Sequence, residues 1–150
     1  MIHGGKSQFL HVGITVADIP ATIAFYRTYF GFELEAEGVF PAEFIGAKPM
    51  LYRQPEGVYS KFAFLRSPDR LVLELFQFSN MLPAQQPVWN RPGYHHICLK
   101  VDSCQSVYEQ MCADGLQDCY YFPPDNMDPE GAHHWVFLTD PDGNMIELQD

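Results

Sequence analysis

No stretch of this sequence approaches the ~20 consecutive apolar residues of a membrane-spanning helix, so a membrane protein is not expected. No apolar run follows Met1-Ile2-His3-Gly4-Gly5-Lys6 either, which argues against a secretory signal peptide. Cysteine is scarce. The four present, Cys98, Cys104, Cys112 and Cys119, include no C-x-x-C pair, which disfavours a structural zinc knuckle. Without a secretion signal they read as reduced thiols, and the expected location is the cytoplasm. Positive charge is sparse too. Nine basic against nineteen acidic residues leave a net charge of -10, a field that opposes nucleic acid and anionic lipid surfaces as partners. Low-complexity tracts are absent.

What remains is a chain of 150 residues, 47% hydrophobic and 15% aromatic, enough for a single domain over 1–150 with a core of its own. Its most informative feature is an internal duplication. Phe64-Leu65-Arg66-Ser67-Pro68-Asp69, followed by Val72-Leu73-Glu74-Leu75, matches Phe137-Leu138-Thr139-Asp140-Pro141-Asp142, followed by Met145-Ile146-Glu147-Leu148. The offset is 73 throughout (137 − 64, 147 − 74), without a gap. His11-Val12-Gly13-Ile14-Thr15-Val16 likewise matches His96-Ile97-Cys98-Leu99-Lys100-Val101 at an offset of 85 (96 − 11). Each half therefore carries one histidine early and one glutamate late.

Local patterning predicts the same elements in both halves. Residues 9–16 alternate, with Leu10, Val12, Ile14 and Val16 on one face, as in a strand. Asp18 offers an N-cap, Pro20 suits a first turn, and Ile19, Ile23, Tyr26 and Phe30 form a helical stripe that Gly31 ends. A strand near 32–36, a loop from Gly38 to Pro49, and a hairpin of 59–66 and 71–78 complete the first module, 9–78. The second module, 94–149, predicts a strand at 94–101. A helix capped by Asp102 or Ser103 follows, bearing Val107, Tyr108 and Met111 and ending at Gly115. A strand near 117–122 and a hairpin of 133–138 and 144–149 close it. Residues 79–93, with Pro83, Pro87 and Pro92, are the linker.

Strand alternation then assigns faces. The flanking aliphatic residues Leu10, Val12 and Ile14, Leu73 and Leu75, Ile97 and Leu99, and Ile146 and Leu148 claim the helix-covered side. His11, Glu74, His96 and Glu147 are left on the opposite face of their strands. A lone strand glutamate is ordinarily solvated, and a lone histidine ordinarily has only a structural partner. Matching positions in two modules change that reading. A carboxylate between two leucines is costly to bury unless it is paired or binds a cation. Two imidazoles and two carboxylates suit one divalent ion, and these ligand types admit Ni, Zn, Co, Mn or Fe. The same faces carry Thr15, Phe76 and Phe78, and Cys98, Lys100, Met145 and one of His133 and His134. Of these, Thr15, Phe76, Phe78, Cys98, Lys100, His134 and Met145 are expected to line a substrate pocket. Cys98 reads as filler rather than nucleophile, and His3 and His95 as structural or disordered.

These signatures, with Ala24-Phe25-Tyr26 before Phe30-Gly31-Phe32 and with Asp140-Pro141-Asp142-Gly143-Asn144, run from Phe9 to Gln149. The chain resembles the vicinal oxygen chelate superfamily, which includes glyoxalase I, methylmalonyl-CoA epimerase, extradiol dioxygenases and fosfomycin- and bleomycin-resistance proteins. The resemblance implies an α+β fold of two tandem βαβββ modules forming a curved mixed sheet around a metal-binding cavity, often in a homodimer. It also implies a small-molecule substrate that chelates the ion through adjacent oxygens. The order His-Glu-His-Glu is similar to bacterial-type glyoxalase I. That likeness implies a metal-dependent lactoylglutathione lyase-like isomerase that moves a proton by way of an enediolate, with Glu147 as base and Glu74 as second choice. Glyoxalase I of that type has Arg four residues after the first ligand and Asn four after the second, for glutathione. Thr15 and Phe78 stand there in this chain and make the pocket more apolar. An epimerase of a 2-oxo or dicarbonyl acid uses the same proton chemistry, although methylmalonyl-CoA epimerase usually has Gln where Glu74 stands. An Fe(II) extradiol dioxygenase, with two His and one carboxylate, and a metal-free binding or resistance protein are the remaining readings.

Overall fold

The structure, a computed structural model, describes residues 7–85, 88–116 and 135–150. The chain divides into two compact units, Met1–Met81 and Leu82–Asp150. The elements are β1 (Val12–Thr15), α1 (Ile19–Phe30), β2 (Glu33–Phe40), α2 (Ala42–Gly46), α3 (Pro49–Tyr52), β3 (Ser60–Arg66), β4 (Val72–Phe78), β5 (His96–Lys100), α4 (Cys104–Ala113), β6 (Trp135–Thr139) and β7 (Met145–Gln149). Among the described residues they form two mixed sheets, with orders β1-β4-β3-β2 and β5-β7-β6. In both, the early strand runs parallel to the last one, β1 with β4 and β5 with β7, while the hairpins are antiparallel. The duplicated plan is thus α+β in both units. The strand expected near 117–122 lies outside the described residues.

In the first unit, α1 begins and ends where its sequence predicts. Asp18 Oδ1 accepts the Ala21 N–H at 3.0 Å, and Pro20 occupies the first turn, where no amide donor is needed. Gly31, at φ 68°, closes the helix in the left-handed region, its N–H donating to the Arg27 carbonyl. The buried stripe is Ile19, Thr22, Phe25 and Tyr26, which shares Ile19 and Tyr26 with the predicted one but not Ile23 and Phe30. Those two are only half-buried because Phe25 and Tyr26 carry the packing, and Tyr26 stacks edge-on with Phe32. The helix packs on β2, β3 and β4. Ala63, Leu65, Leu73 and Leu75 are fully buried, and burial of each leucine contributes roughly 1.5–3 kcal/mol.

Three expectations need correction. β2 does not stop near residue 36 but runs to Phe40, because it pairs with β3 along its whole length, from Glu33↔Arg66 to Phe40↔Ser60. Gly38 belongs to this strand and not to a loop. A Cβ there would meet the Phe62 ring at 2.8 Å, so the glycine makes room for that ring. The segment after it is not simply a loop, since it carries α2 and α3. Finally, the aliphatic residues of the early strands are less buried than alternation implied. Val12, Ile14, Ile97, Leu99 and Val101 are half-buried and Leu10 is exposed. Among the described residues β1 and β5 are end strands of their sheets, each with one strand neighbour, β4 and β7.

The second unit repeats the hairpin closely. Ser103 caps α4 by accepting the Ser106 N–H at 3.1 Å. Cys104 and Met111 are its buried residues, while Val107 and Tyr108 are half-buried. In the β6–β7 turn the buried Asp140 accepts from the amides of Asp142 and Asn144, each at 2.9 Å. Burial pushes its carboxyl pKa up. Ser67, at the matching position, does the same work in the first hairpin, its Oγ accepting the Leu71 N–H at 2.8 Å. Gly143 has φ 84°, and the matching Arg70 has φ 74°, in a region where an L side chain costs about 1–2 kcal/mol. We expect Gly143→Arg to lower unfolding stability by about 1 kcal/mol and Arg70→Gly to raise it by up to about 1 kcal/mol, measured by urea denaturation. A loss on Arg70→Gly would show that the arginine side chain outweighs its backbone strain.

No helix among the described residues is long and apolar enough to cross a membrane.

Candidate metal centre

In the first unit β1 lies beside β4 with Gly13 opposite Glu74. His11 immediately precedes β1, two residues before Gly13, so its side chain shares the face of Glu74. His11 Nε2 lies 3.2 Å from Glu74 Oε2. In the second unit Cys98 stands opposite Glu147, and His96 is two residues before Cys98. His96 Nε2 lies 2.9 Å from Glu147 Oε2. The same diagonal between parallel strands therefore makes the same imidazole–carboxylate pair twice. Both carboxylate side chains are only 17% exposed. Across the hairpin, Glu74 faces Phe64 and Glu147 faces Phe137, again at matching positions. Among the described residues no three His, Cys, Asp or Glu side chains lie together as a ligand cluster. The structure shows two pairs, one in each unit.

The surroundings of the two pairs differ. Gln149 Nε2 donates to Glu147 Oε1 at 2.9 Å, whereas the matching residue beside Glu74 is Phe76. Cys98 stands where the first unit has Gly13, and its thiol donates to Glu147. Burial, followed by the negative charge of Glu147 and this hydrogen bond, pushes the thiol pKa up to about 11. A thiol held protonated in this way is not an activated nucleophile.

Two residues, His95 and Trp89, pack beside His96. His95 Nδ1 lies 3.1 Å from His96 Nδ1, so one nitrogen donates and the other accepts, and of its two expected readings His95 takes the structural one. The Trp89 ring lies 3.9 Å from the His95 ring, 5.7 Å from His96 and 5.5 Å from Phe137. Phe137 meets the His96 ring edge-on at 5.2 Å. Trp89, Arg91, Gly93 and His95 help line an open groove of about 430 Å³. A tryptophan in an aperiodic, proline-rich linker leaves no periodic signal, so nothing in the sequence marked Trp89.

Of the expected pocket residues, Thr15, Phe76 and Phe78 lie on the strands beside the first pair, Thr15 opposite Phe76. Cys98, Lys100 and Met145 lie beside the second. Met145 is opposite His96 and buried, whereas Lys100 is exposed at the strand end opposite Gln149. His3, Cys119, His133 and His134 lie outside the described residues.

Comparison with known proteins agrees with the fold. The Glyoxalase/Bleomycin resistance protein/Dioxygenase superfamily matches residues 8–148. The chain is 26% identical over 147 residues to the uncharacterized protein YaeR of Escherichia coli (strain K12), covering 96% of both chains. Its fold is similar to that of a glyoxalase family protein from Bacillus cereus, with a TM-score of 0.74 at 16% identity over 99% of this chain and 97% of that one. It is also similar to a variant of the fosfomycin resistance protein FosX from Listeria monocytogenes, solved with Mn(II) and 1S,2S-dihydroxypropylphosphonic acid. There the TM-score is 0.62 at 19% identity, over 96% of this chain and 92% of that one. With its duplicated β-α-β plan, its paired histidines and glutamates at one register, and a match along nearly its whole length, this chain belongs to the glyoxalase/bleomycin resistance protein/dioxygenase superfamily.

Proposed function

We propose that the chain is a metal-dependent enzyme that moves a proton on a small hydroxy-carbonyl substrate held through two adjacent oxygens, as a glyoxalase I-like isomerase does. The observation that carries this reading is the doubled imidazole–carboxylate pair at one register in both units. His11, Glu74, His96 and Glu147 would then supply two nitrogen and two oxygen donors to one divalent ion, drawn from one chain or from two chains of a homodimer. These residues fit the role. Each pair already brings a nitrogen and an oxygen within 3.2 Å, on carboxylates that are mostly buried and therefore costly without a positive partner. The Mn(II) in the FosX structure supports a metal in a fold of this kind. A bound divalent ion would supply Lewis-acid polarisation of the substrate oxygens.

The chain's own groups do the rest. Glu147 would take the proton from one substrate carbon and return it to the neighbouring carbon, while Gln149, donating to Oε1, and the Cys98 thiol hold the carboxylate in place. Glu74, between Gly13 and Phe64, is the second candidate for that role. His96 engages through Nε2, so its Nδ1 carries the proton and donates to His95 Nδ1, which fixes the ring's orientation.

Elemental mass spectrometry of protein purified without chelator tests the reading. About one transition-metal ion per chain is expected. Nickel, zinc or cobalt accords with an isomerase or epimerase, and iron with an extradiol dioxygenase. No metal, and none taken up on reconstitution, would overturn the proposal in favour of a metal-free binding protein.

A further inference from the structure

Beside His96 the second unit holds a polar atom that nothing satisfies. His95 Nε2 is buried and has no hydrogen-bond partner among the described residues. A buried nitrogen left in that way is costly. The Trp89 indole lies against the same imidazole, with ring centres 3.9 Å apart and planes tilted by 48°. An aromatic face can accept an N–H, but it offers nothing to a lone pair. The tautomer of His95 therefore decides whether this contact helps.

That tautomer is tied to His96. The two Nδ1 atoms lie 3.1 Å apart, so one carries a proton and the other does not. A neutral imidazole has one ring proton, and the bond made by one nitrogen fixes the state of the other. Two arrangements follow. In the first, His96 keeps its proton on Nε2 and donates it to Glu147 Oε2 at 2.9 Å. His96 Nδ1 then accepts from His95 Nδ1, and His95 Nε2 is left with a lone pair. In the second, His96 Nε2 is bare and free to bind a cation. His96 Nδ1 then donates to His95 Nδ1, and the His95 proton sits on Nε2, where the indole face can accept it. Both arrangements hold two ring protons, so tautomers change and charge does not.

The bond strengths order the two. A hydrogen bond to a carboxylate is stronger than one to an aromatic face, so the first arrangement holds while His96 Nε2 is free of a cation. Once His96 Nε2 is committed to a cation, its bond to Glu147 is lost and only the second remains. We propose that Trp89 is a positioning residue of the metal centre. Its indole accepts the His95 Nε2–H that exists only in the cation-binding arrangement, and so favours the His96 tautomer that offers Nε2 to the ion. This role rests on the metal site proposed above and brings the linker into it. Trp89 suits the part, being 61% exposed and so outside the core of its unit, yet in contact with the rings of His95, His96 and Phe137.

Nitrogen-15 NMR of the full chain labelled at its six histidines tests this, because ring-nitrogen shifts tell a protonated nitrogen from a bare one. Spectra are taken with and without zinc at about pH 8, where free imidazole is neutral. Signals lost in His95→Gln and in His96→Gln assign the pair. Zinc should move the His95 proton from Nδ1 to Nε2. Trp89→Leu, apolar but without a ring face, should weaken zinc binding about tenfold, the lower end of the cost of losing a ligand's supporting neighbour. Trp89→Phe should restore most of that loss. A His95 tautomer that is the same with and without zinc would overturn the role of Trp89 and leave the metal site intact. So would parental zinc affinity in Trp89→Leu, or equal losses in the leucine and phenylalanine variants, which would reduce Trp89 to packing. Failure of the parent chain to bind zinc at all would overturn the metal site itself, and the role of Trp89 with it.

Discussion

His96→Ala is expected to abolish turnover and to weaken metal retention by at least about 100-fold, since even loss of a hydrogen-bonding neighbour of a ligand costs 10–100-fold. The effect should be larger than a packing defect. The His96 side chain is 25% exposed at the start of an end strand, and the core of its unit is built from Met111, Val136, Leu138, Ile146 and Leu148. The variant should therefore unfold close to the midpoint of the parent chain while losing its ion. Removing the imidazole also leaves Glu147 without the nitrogen 2.9 Å away, so the remaining carboxylate holds a cation alone on that side. The measurement is metal content after gel filtration, alongside a urea denaturation curve. Normal metal content in a folded variant would remove His96 from the ligand set, and by its equivalence of register would weaken the assignment of His11.

Glu147→Gln is expected to separate binding from chemistry. The amide keeps the shape of the side chain and can still meet His96, but it cannot accept a proton. Metal should be retained in part, and proton transfer should fall by about 10²–10⁴-fold, the usual contribution of a positioned general base. Exchange of the substrate's carbon-bound proton for solvent deuterium, followed by NMR on a 2-hydroxy-carbonyl compound, reports this step directly. Glu74→Gln serves as the paired measurement, because both glutamates face equivalent positions yet have different neighbours. Gln149 and Cys98 donate to Glu147, whereas Phe64 and Phe76 flank Glu74. Near-full exchange by Glu147→Gln together with loss in Glu74→Gln would move the base to the first unit.

Much of this site was legible before any coordinates. The period-two rule depends on nothing beyond the strand itself, so Leu73-Glu74-Leu75 and Ile146-Glu147-Leu148 were enough to place both carboxylates on the face away from the buried leucines. The caps at Asp18 and Ser103 and the stop at Gly31 are equally local, each being a contact within four residues. The same alternation on Phe62-Ala63-Phe64-Leu65 carried the information that two more aromatics share the Glu74 face.

Other features were decided by pairing between distant segments. The extent of β2 followed from its register with β3, which overrode a glycine that locally suggests a turn, because the ring of Phe62 needed the space. Half-burial of Ile14 and Leu99 goes with the end positions that β1 and β5 hold among the described residues. The linker placed Trp89 against His95 and His96 through contacts that no periodicity encodes. The sequence by itself determined which residue types lie on which face, since that follows from the geometry of one strand. Only the tertiary structure decided which of them meet, since a parallel pair such as β1 with β4 joins residues some sixty positions apart, and its register is set by the packing of the whole module.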